Sequence, residues 1–562
     1  MENSKFNPEK VGRKSGEYHP SLWGDYFITN NPTFYAKQKS KSWMKQRAEE
    51  LKDEVKKKLH TTSDLHESMS LIDAIQHLGI DYHFTKEIDE ALDHLYNTEL
   101  KSFALHEVAL RFRLLRQQGF PIIVTHLVDA FGSSYSINNH NWSVYTDEFN
   151  KFKDDKGNFA KTLSNDPRGL LSLYNAAYLG IHVEKILDEA ISFSRIHLES
   201  KAKDLKPPLA NEVSRALVTP LQRRLKRLEA RYYISDYEME DKRDDAILEL
   251  AKLDFNLVQS LHCEELKNIS IWWNDLGLKD KLCYLRDRIV ELYFWISGVC
   301  FEPDYSHARM IATKVIVLTC ILDDTYDVYA TLEECRALTD AIQSMPIYII
   351  IKDDFRMEKY KDSLLKILVH LTIEGLCMFY FTNKSRMKEA SICRWDMEAI
   401  DQLPTYLKDY FHKLISTFEE FEDELALEDK YRVSYLREMV IFFISLLLFS
   451  RFQYKSVAKV YHNETEWYAH DYTPTFEEHL QTSIISTAYP MLICACFVGM
   501  GNVATKEAFE WVLSIPEAVR ASALVSRLMD DITSSEVTNQ ISLSLISQSL
   551  PILRMVSPNQ LF

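Results

Sequence analysis

Residues 315–327 read Val-Ile-Val-Leu-Thr-Cys-Ile-Leu-Asp-Asp-Thr-Tyr-Asp, an uncharged run that ends in three carboxylates. The run predicts a buried helix, on which Asp323 and Asp327 share one face with their Cβ atoms roughly 5–6 Å apart. An isolated buried carboxylate is very costly. Mg²⁺ neutralises such a pair, because it takes one or two carboxylates together with substrate phosphates. A solvated acidic helix end is the plainer alternative, and the uncharged run favours the metal site.

The composition predicts an all-α protein. Gly and Pro number only 14 and 16 among 562 residues, against a usual share of about 12% for the two together. A chain of this length has room for two or more domains. The formal net charge of −16 argues against a nucleic acid partner. Nine cysteines without a Cys-x-x-Cys pair favour a reducing compartment.

Two stretches bear on cellular location. Residues 1–13 are polar and show neither the apolar segment of a secretory signal nor a Ser- and Arg-rich leader, which predicts a cytoplasmic protein. The uncharged stretch from Thr482 up to Lys506 is long enough to cross a bilayer. Because it contains Pro490 and two glycines, we interpret it as buried helices and predict no membrane span.

Prolines mark the best domain junction. Pro207-Pro208 and Pro220 precede a basic segment that leads into a second helical half. We therefore place the boundary between residues 1–228 and residues 229–562. The second half carries the candidates for chemistry described here.

A pair of arginines, Arg286 and Arg288, lies shortly before the acidic run. Guanidinium groups suit a diphosphate, which Arg binds in a forked geometry. An ordinary surface basic pair is the alternative for this tripeptide alone. Trp295 and its aromatic neighbours are able to stabilise a cation in a dry site, although such clusters also form ordinary cores.

A second acidic element occupies residues 527–534, which read Arg-Leu-Met-Asp-Asp-Ile-Thr-Ser. Asp530 and Ser534 are again four positions apart, and Arg527 lies one turn earlier. Thr538 holds the next position on the same face. We expect the two acid-bearing helices to face each other across a cavity with metal ions between them.

Together these elements resemble those of plant terpene synthases of the sesquiterpene-forming type. The resemblance implies two all-helical domains, an N-terminal α-barrel-like domain and a C-terminal class I terpenoid synthase bundle that holds the active site. The Asp-Asp-Thr-Tyr-Asp and Arg-Asp-Arg motifs at this spacing are its most specific part. The likeness extends from about Gly16 to Glu536, and includes HPSLWGDYF (19–27), RDRIVELYFW (286–295), ILDDTYDVYATLEE (321–334) and RLMDDITSSE (527–536).

The resemblance also implies an activity, the magnesium-dependent conversion of farnesyl diphosphate to a cyclic sesquiterpene. In that family Mg²⁺ ions and arginines draw off the diphosphate, and the carbocation cyclises against an aromatic, water-free wall. Three Mg²⁺ ions are expected, with Mn²⁺ as an alternative ion, and the protein is expected to be a monomer. By position in the family, Asp323 and Asp327 would bind two of these ions, and Asp530 with Ser534 would bind the third. Arg286 and Arg527 would contact the diphosphate.

The resemblance also implies which residues surround the cavity. Its wall would include Trp295 and the segment Ser486-Thr487-Ala488, and an arm that closes over it would include Arg13, Lys14 and Trp23.

Three departures from the family pattern predict an impaired enzyme. Residues 344–393 form an atypical insertion in a stretch that is continuous in the family. Thr538 stands where the second metal motif ends in Glu, and residues 537–562 form a divergent tail. We expect the chain to be poorly soluble and weakly active or inactive.

Two other functions stay open. A chain-elongating isoprenyl diphosphate synthase also uses paired acidic boxes. In such enzymes both boxes end in Asp, whereas the second box of this chain ends in Ser534, and the long N-terminal domain does not suit that function. A non-catalytic relative that binds diphosphate or a partner is favoured by Thr538 and by the tail. The product skeleton depends on the cavity contour to within a methyl group, which the sequence does not specify.

Overall fold

The computed structural model describes most of both halves of the chain. Contacts divide the chain into two compact units. The N-terminal unit is Thr29–Leu266 with Ser297–Pro303, and the C-terminal unit is Met1–Ile28, Lys267–Ile296 and Asp304–Phe562. The described residues are 21–30, 40–98, 104–123, 143–144, 149–181, 184–343, 397–441, 461, 464–467, 470 and 472–534.

The described residues are predominantly α-helical. In the first half of the chain the helices are α1 (Tyr26–Thr29), α2 (Lys41–Thr61), α3 (Leu65–His77), α4 (Thr85–Asn97), α5 (Leu105–Gln117), α6 (Pro167–Ala177), α7 (Lys185–Lys201), α8 (Leu209–Val218), α9 (Lys226–Glu238) and α10 (Asp245–Leu276). In the second half they are α11 (Ile289–Val299), α12 (Ser306–Asp324), α13 (Leu332–Gln343), α14 (Thr405–Asp423), α15 (Tyr431–Ile441), α16 (Phe476–Ser486), α17 (Tyr489–Gly499), α18 (Lys506–Leu513) and α19 (Glu517–Ser534).

Strands make a very small contribution to this part of the chain. Ile122–Ile123 pairs in parallel with Ser143–Val144, and each of these strands has two residues. The prediction of an all-α fold is therefore confirmed.

The N-terminal unit consists of helices around one main apolar core. Side chains from α2 to α7 fill this core, in which α6 packs against both α5 and α7. A capping residue fixes the start of α6. Asp166 precedes α6 and accepts a hydrogen bond from the backbone N–H of Gly169 at 2.9 Å, which satisfies one of the free donors at the helix start.

The C-terminal unit is organised around α12, the helix that carries the first acidic element. α12 is buried along most of its length and packs against α14 and α17. Gly499 ends α17, and a Cβ atom there would lie 2.4 Å from the Cα of Ala308 on α12. The two helices approach this closely because glycine lacks that atom.

The domain boundary predicted at residues 228 and 229 falls within α9. The compact units instead change over at Leu266 and Lys267, within the long helix α10. The predicted boundary rests on the sequence alone and stays a prediction.

Two helical stretches in the described residues, Pro303–Tyr329 and Phe476–Gly499, are long and apolar enough to cross a membrane. In each, 61% of the most apolar window is buried inside the protein, as in the core helices of soluble proteins. The prediction that the chain has no membrane span stays a prediction.

Candidate active site

The first acidic element lies where α12 widens into a π-helical turn over Thr325–Tyr329. The backbone N–H of Ala330 donates to the carbonyl of Thr325 at 2.9 Å, a bond across five residues. Asp323 therefore belongs to the last α-helical turn, and Asp327 to the wider turn that follows. The spacing had predicted a uniform helix here. Such π turns occur frequently at functional sites.

Hydrogen bonds between buried hydroxyl groups hold the π turn in place. Thr325 donates from Oγ1 to the carbonyl of Ile321 at 2.7 Å, and the hydroxyl of Tyr284 lies 2.8 Å from the same Oγ1. The hydroxyl of Tyr326 lies 2.7 Å from Oγ1 of Thr339. These contacts fix the backbone that presents the carboxylates.

Burial and neighbouring carboxylates disfavour the charged forms of Asp323 and Asp327. Burial raises the pKa of Asp323 well above its ordinary value, and the charges of Asp327 and Asp324 raise it further. Although Asp327 keeps part of its surface in solvent, loss of water around its carboxylate and the charge of Glu464 raise its pKa as well. Crowded carboxylates of this kind fit a divalent cation, which would keep them ionised.

Within the described residues, no group of three or more His, Cys, Asp or Glu side chains is already gathered around a common metal position.

Asp324 is the residue of this element that sequence reasoning overlooked. It is 2% exposed and holds Arg286, whose Nε donates to Asp324 Oδ1 at 2.7 Å. One terminal nitrogen of Arg286 also lies 3.8 Å from Asp323 Oδ2. The structure thus brings the Arg-Asp-Arg motif to the acidic turn. The doubled aspartate was the signal for Asp324, since only one of two consecutive side chains faces the same side of a helix as Asp327.

The second acidic element lies on α19. Arg527 donates from Nε to Asp531 Oδ1 at 2.7 Å, and its Nη2 lies 2.9 Å from Asp530 Oδ2. The charge of Arg527 also offsets that of Asp327 on the π turn. The expectation that the two acidic helices face each other across a cavity with metal ions between them stays a prediction.

Glu464 is a further carboxylate that the sequence analysis did not single out. Burial raises its pKa to about 7, the charge of Arg527 lowers it, and the charge of Asp323 raises it further. Residues of both acidic elements thus influence its protonation. No local pattern in a single sequence marks such a residue, because its partners are far away along the chain.

The predicted wall segment Ser486-Thr487-Ala488 is the break between α16 and α17. Ala488 has φ of +57°, in the left-handed region, and Pro490 follows in the first turn of α17. The carbonyl of Ser486 accepts a hydrogen bond from the hydroxyl of Tyr461 at 3.0 Å. The hydroxyl of Thr487 donates to the carbonyl of Ile484 at 3.2 Å. The role of this segment as a cavity wall stays a prediction.

The remaining predicted residues are only partly described. Trp295 lies on α11 and is 53% exposed, and its role as a cavity wall stays a prediction. Trp23 packs against Phe27 with ring centroids 5.6 Å apart. Ser534 is the last residue of α19. The side chain of Ser534 and the residues Arg13, Lys14 and Thr538 lie outside the described residues.

Both halves of the chain match known family models. Residues 274–374 and 386–548 match the model described as terpene synthase family, metal binding domain. Residues 22–131 and 137–217 match the model described as terpene synthase, N-terminal domain. The chain belongs to the terpene synthase family. This terpene synthase is therefore an enzyme of the class predicted from its motifs, with a metal-binding C-terminal domain.

Similar proteins cover most of this terpene synthase. Alpha-humulene synthase from Zingiber zerumbet is 44% identical over 94% of this chain and 80% of its own length. Beta-eudesmol synthase from the same species is also 44% identical, over the same shares of both chains. The crystal structure of isoprene synthase from grey poplar leaves (Populus x canescens), in complex with three Mg²⁺ ions and dimethylallyl-S-thiolodiphosphate, matches with a TM-score of 0.71 and 29% identity over 92% of this chain and 85% of that chain.

The family match also bears on the block 344–393. It includes residues 344–374 and 386–393, so only 375–385 of that block stay unmatched. The match continues beyond Glu536 to residue 548. The family model therefore matches more of the predicted insertion and of the predicted tail than the sequence motifs alone indicated.

Proposed function

We propose that this terpene synthase is a Mg²⁺-dependent sesquiterpene synthase that ionises farnesyl diphosphate and cyclises the resulting carbocation. Alpha-humulene synthase and beta-eudesmol synthase, the two similar sequences reported above, are sesquiterpene synthases, which supports a C15 substrate. The observation that carries the proposal is the contact of Arg286 with the acidic turn, where its Nε donates to Asp324 at 2.7 Å and its Nη2 lies 3.8 Å from Asp323. This contact supports a site in which a guanidinium and a metal-binding carboxylate act on the same diphosphate.

Asp323 and Asp327 would hold two Mg²⁺ ions, and Asp530 with Ser534 would hold a third, with Mn²⁺ as an alternative ion. When bound, such ions act as Lewis acids that stabilise the oxygens of the departing diphosphate. The raised pKa values of Asp323 and Asp327 support this assignment, because burial and neighbouring carboxylates disfavour their charged forms, and a bound cation would offset both effects.

Arg286 and Arg527 would contact the diphosphate. Each guanidinium is already held by an aspartate, Arg286 by Asp324 and Arg527 by Asp531. Groups fixed in advance stabilise developing charge without reorganising during the reaction. As the C1–O bond breaks, its electron pair leaves with the diphosphate oxygen, and loss of a proton from the carbocation completes the hydrocarbon.

Trp295 and the Ser486-Thr487-Ala488 segment would line the hydrocarbon part of the cavity. Such a wall excludes water, which would otherwise capture the cation. We further propose that the enzyme acts as a monomer in the cytosol.

The test is to incubate the purified chain with farnesyl diphosphate and MgCl₂ and to analyse the extract by gas chromatography. A sesquiterpene that disappears on addition of EDTA and in Asp327→Asn supports the proposal. Asp409→Asn is the matched control, since Asp409 lies in an exposed pair with Lys281. A longer prenyl diphosphate formed with added isopentenyl diphosphate would instead indicate a chain-elongating enzyme. Diphosphate binding without any product would indicate a non-catalytic relative.

A further inference from the structure

His479 on α16 faces the second acidic element. Its Nε2 lies 3.1 Å from Oδ2 of Asp531, and both side chains are 12% exposed. An ionised Asp531 has no hydrogen to donate, so the His479 Nε2–H is the donor in this contact. The Oγ of Ser483 lies 3.4 Å from the same nitrogen, one turn further along α16.

The other oxygen of Asp531 is committed to Arg527. Its Oδ1 accepts from Arg527 Nε at 2.7 Å and also contacts Nη2. The terminal torsion of an Asp side chain is broad and is not fixed by rotamer preference alone. With His479 on one oxygen and Arg527 on the other, both ends of the carboxylate are fixed, and so is the orientation of the guanidinium.

The chemistry of the two groups agrees with this arrangement. A guanidinium in direct contact with a carboxylate forms a charge-assisted hydrogen bond, which is stronger than a bond between neutral groups.

The contact is not needed to hold the two helices together. α16 and α19 share an apolar seam in which Leu480 and Leu528 are buried and Phe476 and Leu524 pack against them. A polar pair beside an apolar seam adds orientation more than helix attachment, because the seam already buries the apolar surface.

We propose that His479 is a positioning residue, which acts through Asp531 to fix the Arg527 guanidinium where it receives a diphosphate. The inference rests on the proposed function for the identity of the ligand. His479 itself does not touch the substrate. Its effect on an anion must therefore depend on Arg527.

A double-mutant cycle measured with inorganic pyrophosphate and MgCl₂ by calorimetry tests this dependence. In the full chain, His479→Leu should weaken pyrophosphate binding about tenfold, because a hydrogen bond to a charged group is lost. His479→Gln places an amide N–H near the position of Nε2 and should stay within about threefold of the unsubstituted protein. In the Arg527→Ala background, His479→Leu should have no further effect.

A similar loss from His479→Leu in the presence and absence of Arg527 would overturn the inference, since it would show a general structural role. His307→Leu is the matched control: His307 lies 2.8 Å from Glu424 in an exposed pair of the same unit, and its removal should leave binding unchanged. Thermal unfolding of each variant identifies any variant that fails to fold. If His479→Leu does not fold, the comparison of His479→Gln with Asp531→Asn decides: the His479→Gln variant must retain pyrophosphate binding, and the Asp531→Asn variant must lose it.

Pyrophosphate binding does not require turnover, so the experiments distinguish failure of the proposed function from failure of the positioning role of His479. If the cycle shows full dependence on Arg527 but farnesyl diphosphate yields no hydrocarbon, the proposed function is wrong and the positioning role stands. If the chain makes a sesquiterpene but the cycle is additive, only the positioning role is wrong. An unsubstituted protein that does not bind pyrophosphate would overturn the positioning role directly.

Discussion

Arg286 donates from Nε to Oδ1 of the buried Asp324 at 2.7 Å, across a separation of 38 residues. This bond ties the arginine motif to the acidic turn that follows α12. Of the two consecutive aspartates, Arg286 binds Asp324, which is 2% exposed, so the carboxylate of Asp323 is available to other partners. The buried aspartate thus orients the arginine, while its neighbour is the candidate metal ligand.

Asp324→Asn should therefore destabilise the protein as well as impair it. We expect the free energy of unfolding in urea to fall by about 1–3 kcal/mol, because a charge-assisted bond is lost from a buried site. The same change at Asp409, which accepts from Lys281 at 2.7 Å on the surface, should cost no more than about 0.5 kcal/mol. Equal losses in the two variants would contradict the buried anchoring role.

The sequence predicted the acidic turn and its arginine partners because their information is local. Asp323 and Asp327 follow an uncharged run at helical spacing, and the Arg527 element repeats that spacing. Helix geometry converts such spacing into a shared face. These residues could therefore be named before any contact was known.

The other members of the site depend on contacts between distant segments. His479 contacts Asp531 across 52 residues, and the charge of Asp323 acts on Glu464 only in the folded chain. Neither lies in a spaced motif, so nothing local distinguishes them from surface residues. The π turn was missed for a related reason, since the extra residue in the turn leaves no mark on the spacing of the acids.

Asp323→Asn should abolish ionisation of the substrate without loss of fold. A candidate metal ligand is removed, whereas no apolar packing changes. Because burial and the Asp327 charge disfavour an ionised Asp323, the metal-free variant should be at least as stable as the unsubstituted protein at pH 8. Product analysis and thermal unfolding in EDTA check the two halves of this prediction. Parallel loss of product and of thermal stability would mean that the carboxylate is structural.

The metal-free protein should lose stability from these groups as the pH rises from about 4 towards 8. Glu464 has a folded pKa raised to about 7, and the pKa values of Asp323 and Asp327 are also raised. The folded state thus holds more protons than the unfolded state in this range, so stability falls with pH. The midpoint of thermal unfolding in EDTA, measured across this range, should show a shallower decline in Asp323→Asn.

Addition of Mg²⁺ should reverse this trend. Protonated carboxylates compete poorly for a metal ion, so binding strengthens as they ionise. We expect MgCl₂ to raise the unfolding midpoint more at pH 8 than at pH 5.5, since a ligand that binds the folded state stabilises it. The same addition to Asp327→Asn is the control and should give a smaller shift. A shift of equal size at both pH values would argue against carboxylate ligands.

Deleting residues 344–393 should leave the C-terminal unit folded and more soluble. The segments on either side already meet: α13 contacts the short 3₁₀ helix Met397–Gln402, and the hydroxyl of Tyr406 donates to Glu334 Oε2 at 2.9 Å. A direct connection therefore suits the described structure, and the deletion removes apolar clusters such as residues 348–351, which promote aggregation when exposed.

The family match makes this deletion a sharp experiment, because residues 344–374 and 386–393 belong to the matched region. If they form part of the fold, their removal should abolish soluble expression and the helical circular dichroism signal. If they are foreign to it, the shortened chain should keep its helicity and unfolding midpoint and give a higher soluble yield, as we expect. Removal of 375–385 alone is the matched control, since those residues lie outside the match and their loss should be tolerated in either case. We expect turnover to stay low in the shortened chain, because Thr538 still replaces the acidic residue that ends the second metal motif, and Mg²⁺ demands near-ideal octahedral ligation.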